Sequence, residues 1–121
     1  MMSGFEMGSA ERGEPVRPPA VAGSWYPDAE APLRAAVTSH LAAVSDTDTD
    51  TPFRDIVAII APHAGLVYSG PVAAHAYQAV AGRAYDVAVL VGPSHYVGFD
   101  GVAIYPRGAF DTPLGSVPVA A

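Results

Sequence analysis

The stretch DIVAIIAPHAG (Asp55–Gly65) decides the reading of the chain, together with its echo DVAVLVGPSH (Asp86–His95). Ile56–Ala61 and Asp86–Val91 are continuous runs of mostly β-branched residues. They lack the alternation of a strand with one wet face, and so predict strands buried on both faces. Between them, Pro71 suits the first turn of a helix running to about Ala81. Val72, Ala76, Ala79 and Val80 give that helix an apolar side, and Gly82 suits its C-terminal end. Strand, helix, strand is a βαβ unit, whose crossover is right-handed and whose strands are parallel. The fold class expected is therefore α/β, with a mostly parallel sheet flanked by helices.

Upstream, Leu33, Val37, Leu41 and Val44 recur at helical spacing, with Asp28 as the expected N-cap and Pro32 inside the first turn. Val16–Pro27 is rich in proline and holds the only Trp. It predicts a loop or edge strand that docks its aromatics. Met1 to about Pro15 reads as a disordered leader to a domain spanning 16–121, and Ser45–Pro52 as a solvated linker. Downstream, Gly92–Phe99 reads as a loop and Val102–Tyr105 as a short third strand. Pro106–Ala121 reads as loop with one further strand near Val117.

Composition narrows the function. The formal charge is −6, with six Arg and no Lys, which argues against nucleic-acid and anionic-membrane partners. No Cys is present, so no disulfide, zinc ribbon or thiol nucleophile lies within these residues. A cytoplasmic setting is expected, because no signal peptide is read and the longest apolar runs are too short to span a bilayer.

His63 and His95 follow the two apolar runs at matching places, in APHAG (Ala61–Gly65) and GPSHY (Gly92–Tyr96). In open parallel sheets, ligand sites lie outside the carboxyl ends of the strands. Neighbouring strands are about 4.8 Å apart, so the two imidazoles could converge on one metal ion at about 2.0–2.2 Å each. The plainer alternative is a polar loop residue satisfied by hydrogen bonds. His75, among alanines in the central helix, reads as a structural or orienting residue, and His40 as a surface or boundary residue. Gly92-Pro93-Ser94 begins like a nucleophile elbow, but Tyr96 stands where that motif needs Gly. No phosphate-cradling loop, dinucleotide fingerprint or calcium loop is present.

Assembled in order, Ala22-Gly23-Ser24-Trp25-Tyr26, Ala61-Pro62-His63-Ala64-Gly65, Tyr68-Ser69-Gly70, Ala73-Ala74-His75-Ala76-Tyr77, Gly92-Pro93-Ser94-His95 and Thr112-Pro113-Leu114-Gly115 resemble the Memo family. Its prokaryotic members are also called AmmeMemoRadiSam system protein B. The resemblance runs from about Val16 onward. It implies kinship of fold with the class III extradiol dioxygenases, which hold non-haem iron. It also implies that His63 and His95 are metal ligands, with His75, Tyr68, Trp25, Tyr26 and Ser94 as pocket or supporting residues. For Trp25, core packing is the competing role.

The family's third ligand is a Cys in a later part of the chain, whereas this sequence contains none. The chain is therefore expected to be a fragment, a truncated product or one part of a split protein that needs a C-terminal half. The function expected of the completed site is metal-dependent redox chemistry of a dioxygenase-like kind. Its cofactor would be a divalent metal, iron first and copper or zinc next, and its ligand a small molecule or peptide. The alternatives are a non-catalytic peptide- or protein-binding module and a fragment without independent activity.

Overall fold

In the computed structural model, residues 13–44 and 55–120 are described. The leader's first twelve residues and the 45–52 linker lie outside them. Five elements follow in order: β1 (Val16–Arg17), α1 (Glu30–Ala42), α2 (Leu66–Val80), β2 (Ala109–Thr112) and β3 (Gly115–Pro118). The fold is α/β, with a three-stranded sheet ordered β1-β2-β3. β1 and β2 run parallel, with Val16 opposite Ala109 and Arg17 opposite Phe110, and both helices lie in the crossover between them. β2 and β3 form an antiparallel hairpin closed by Pro113 and Leu114. Thr112 fastens the turn: its Oγ1 donates to the Gly115 carbonyl at 2.8 Å and accepts from the Leu114 N–H at 3.1 Å. The strand expected near Val117 is thus β3.

The parallel pair is built from different residues than the sequence suggests. Ile56–Ala61, Asp86–Val91 and Val102–Tyr105 form no strand. Val57 is 98% exposed, Ile60 97%, Leu90 91% and Val91 92%. The physical reason is a missing environment. A doubly buried strand needs a ladder neighbour and a covering layer on each face, and among the described residues these runs have neither.

α1 begins at Glu30, and its expected stripe is present: Leu33 is buried, with Val37, Leu41 and Val44 half-buried. Its N-cap is Ala29, without a side-chain cap, rather than Asp28. The Asp28 carboxylate turns back toward the bend at Gly23 instead, where an added Cβ would meet its oxygen at 3.5 Å. Arg34 pairs with Glu30 one turn away at 2.8 Å; both are exposed, so the pair contributes only about 0.3–0.5 kcal/mol.

α2 starts at Leu66, five residues before the expected Pro71, which sits inside it. Tertiary bonds account for the earlier start. The Leu66 N–H donates to the Trp25 carbonyl at 2.8 Å, and the buried Ser69 hydroxyl donates to the Ala64 carbonyl at 2.8 Å. Pro71 is then the sixth residue of the helix, beyond its orphan N-terminal donors, and leaves the Val67 carbonyl without its helical N–H partner. Past the C-terminus, Gly82 takes a positive φ of 71°, as its identity suggests.

The two helices pack on each other around Leu33, Ser69 and Ala74, which with Gly70 are the buried positions. Gly70 faces the His40 side chain of α1 at close range. A Cβ there would stand 2.6 Å from His40 Nε2 and 2.7 Å from His40 Cδ2. His40 is accordingly half-buried, a boundary residue in the helix crossing. On the sheet side, Tyr105 meets Phe110 edge-on at 4.9 Å, and the Arg17 guanidinium lies 5.4 Å over the Phe110 ring.

Candidate functional site

His63 lies in the short loop between the first apolar run and Gly65, the residue that caps α2. Three bonds hold that end of the loop. The Ser69 hydroxyl grips the Ala64 carbonyl, the Tyr68 N–H donates to the Gly65 carbonyl at 2.8 Å, and the Trp25 carbonyl receives Leu66. The Ala22–Tyr26 motif is itself a tight turn. Gly23 N–H donates to the Tyr26 carbonyl at 2.8 Å, and Trp25 N–H to the Val21 carbonyl at 2.9 Å. Its visible role is to present the Trp25 carbonyl to the start of α2.

His95 is carried by the loop after the second apolar run. Ser94, its neighbour, closes this loop by donating to the Val97 carbonyl at 2.6 Å and accepting from the Val97 N–H at 3.4 Å. The two fastened loops bring the imidazoles together. The ring centroids of His63 and His95 are 5.3 Å apart, with planes inclined at 41°. Both side chains are exposed.

That separation tests whether the pair suits a metal. A bond of about 2.0–2.1 Å puts a ring centroid roughly 3.2 Å from the ion, so two imidazoles at a tetrahedral angle have centroids about 5.2 Å apart. The spacing equals that value, and it is equally the spacing of two aromatic rings in ordinary contact. Among the described residues, no group of three or more His, Cys, Asp or Glu could hold a metal, so a further ligand would come from elsewhere.

Of the remaining predicted residues, Trp25 and Tyr68 both adjoin Gly65. His75 is exposed in the middle of α2 and forms no metal-holding group with the pair. Tyr68 is exposed, with its ring edge beside Gly65. Trp25 is 42% exposed, so its indole is not docked in a core, and Tyr26 is half-buried. Sequence reasoning passes over Ser69 and Gly70 as working residues. The available signal is their place in Tyr68-Ser69-Gly70, where a small hydroxyl and a bare Cα adjoin the histidine loop. A depression of about 320 Å³, lined by Glu14, Val16, Arg107, Gly108, Ala109 and Val119, lies on the sheet side, and no histidine lines it.

The family model of Memo-like proteins matches residues 17–121. The chain belongs to the Memo-like family. Among its relatives, a MEMO1 family protein of Metallosphaera sedula is 39% identical over 115 residues, covering 87% of this chain and 39% of its own length. A MEMO1 family protein of Methanothermobacter thermautotrophicus is 39% identical over 108 residues, covering 86% and 39% respectively. One of Pyrobaculum aerophilum is 42% identical over 108 residues, covering 86% and 38%. The chain thus spans about two-fifths of the length of these Memo-like relatives. No solved structure matches it significantly. No helix among the described residues is long and apolar enough to cross a membrane.

Proposed function

We propose that this Memo-like chain contributes two imidazole ligands, His63 and His95, to a divalent metal site for redox chemistry of a dioxygenase-like kind. The observation that carries the reading is the 5.3 Å approach of the two rings from loops that are each fastened by a serine hydroxyl. Iron is the first candidate, because two histidines with open positions suit non-haem iron, and imidazole also suits copper and zinc. When bound, the metal would supply a Lewis-acid and redox centre open to a small molecule or peptide. The chain's own residues do the positioning. Ser69 and the Trp25 carbonyl hold the His63 loop, and Ser94 holds the His95 loop. The third ligand would come from outside the described residues. The same reading assigns the protein to the cytoplasm, and a chain without cysteine is compatible with a reducing compartment.

The test is metal content after loading the purified full chain with Fe(II), Cu(II) or Zn(II) and dialysis. Wild type should retain one ion per chain or per completed assembly. Either His63→Ala or His95→Ala should lower retention by about tenfold or more. Equal retention in wild type and both variants would refute the assignment.

A further inference from the structure

We infer that Asp100 and Gly101 form a site of covalent self-modification, at which Asp100 passes through a cyclic imide to isoaspartate. Three observations meet there. First, Asp100 is the one Asp in the sequence that a Gly follows, and the sequence holds no Asn to offer a competing amide route. Second, both residues are exposed, and among the described residues neither enters a hydrogen bond or an ion pair. The Asp100 carboxyl and the Gly101 N–H are the two groups that must react, and no bond has to break to free them. Third, Gly101 takes a positive φ of 96°, and the space where a Cβ would stand is open. With no side chain over it, the Gly101 nitrogen is approachable, and the freedom of a glycine lets the backbone turn toward Asp100.

The chemistry balances with water alone. The Gly101 amide nitrogen attacks Asp100 Cγ, and a C–N bond forms as the amide proton and the carboxyl hydroxyl depart as water. Water then returns to the resulting succinimide ring. Addition at Cγ restores Asp100. Addition at the Asp100 backbone carbonyl breaks its bond to the Gly101 nitrogen and leaves the chain running through Cβ and Cγ. Nothing is oxidised or reduced. The product keeps its negative charge and gains a backbone carbon, just beyond the His95 loop that Ser94 closes at Val97. The other described Asp residues lack this opening. Ile56, Val87 and Thr112 follow Asp55, Asp86 and Asp111 and shield the attacking nitrogen with β-branched side chains. Asp28 turns back to the bend at Gly23 and is followed by Ala29 at the start of α1. The site stands independently of any metal at His63 and His95.

The experiment incubates the full chain at neutral pH and body temperature for several weeks, beside a short peptide of the sequence Gly98–Ile104. Proteolytic fragments are separated by reversed-phase chromatography. Electron-transfer fragmentation then tells isoaspartate from Asp, which has the same mass. The expected result is isoaspartate at Asp100, formed within about tenfold of the peptide's rate because the fold holds neither reacting group. Asp28, Asp55, Asp86 and Asp111 should stay unchanged. Asp100→Glu, which keeps the charge but needs a larger ring, should abolish the conversion while leaving helical circular dichroism as it was. In the peptide, Gly101→Val should slow conversion by about tenfold or more. A folded chain slower than the peptide by more than about tenfold would overturn the proposal. So would equal conversion at the other aspartates, or no conversion in either chain or peptide.

Discussion

The helix pair and the two apolar runs both carry apolar residues and meet opposite fates. α2 carries Ala73, Ala74, Ala76 and Ala79, small residues that bury little each, yet Ala74 and Ser69 are sealed against α1. Ile56–Ile60 and Val87–Val91 are far more hydrophobic and stand largely in solvent. Apolar character supplies the drive for burial, but the geometry of a partner decides whether burial happens. The helices find a partner because a bare Cα at Gly70 lets the His40 ring come close. The runs have no such neighbour among the described residues.

Substitutions can break or sharpen this contrast. The largest effect is expected at Leu33, the buried anchor of α1. Leu33→Ala should cost about 2–3 kcal/mol, at the lower end for a buried leucine because the site is close to the surface. Urea denaturation followed by helical circular dichroism measures it. A loss below ~0.5 kcal/mol would mean that the helix pair is no more of a core than the runs are. Next is Gly70→Val, which forces the helices apart or displaces His40 and should cost about 1–3 kcal/mol. Adding His40→Ala should recover a substantial part of that loss. Absence of any recovery in the double variant would remove the contact from the argument. The smallest effect is expected for Val57→Ser, a polar change in the most exposed run. The isolated chain should stay within about 0.5 kcal/mol of wild type. A clear destabilisation would show that the run is buried in solution and would erase the contrast.

The same contrast governs what a reader can take from the sequence. α1 is legible because the spacing of Leu33, Val37, Leu41 and Val44 is a local property of the helix itself. The α/β class is legible too, and so is the late strand at Val117. The start of α2 is not, since Pro71 is a strong local signal and the bonds that override it come from Trp25 and Ala64. Nor is the exposure of the two runs, because a hydrophobic pattern records the need for cover without recording where the cover is. In the candidate site, the matching places of His63 and His95 after the two runs are plain in the sequence. The fastening of their loops by Ser69 and Ser94 is not, because a hydroxyl's partner is fixed only by the fold.

The pairing of β1 with β2 has a consequence for the order in which the chain assembles. Val16 and Ala109 lie near opposite ends of the described chain, so their ladder closes a loop that contains both helices. Its entropy must be surrendered before the few bonds of a two-residue strand return anything. α1, α2 and the β2–β3 hairpin rest mainly on nearer contacts and can form first, with β1 as the latch that shuts last. Closure entropy rises only slowly with length, by about 0.6 kcal/mol for each doubling. Outside the two packed helices and the histidine loops, the connection between the latch and its keeper therefore tolerates lengthening at small thermodynamic cost.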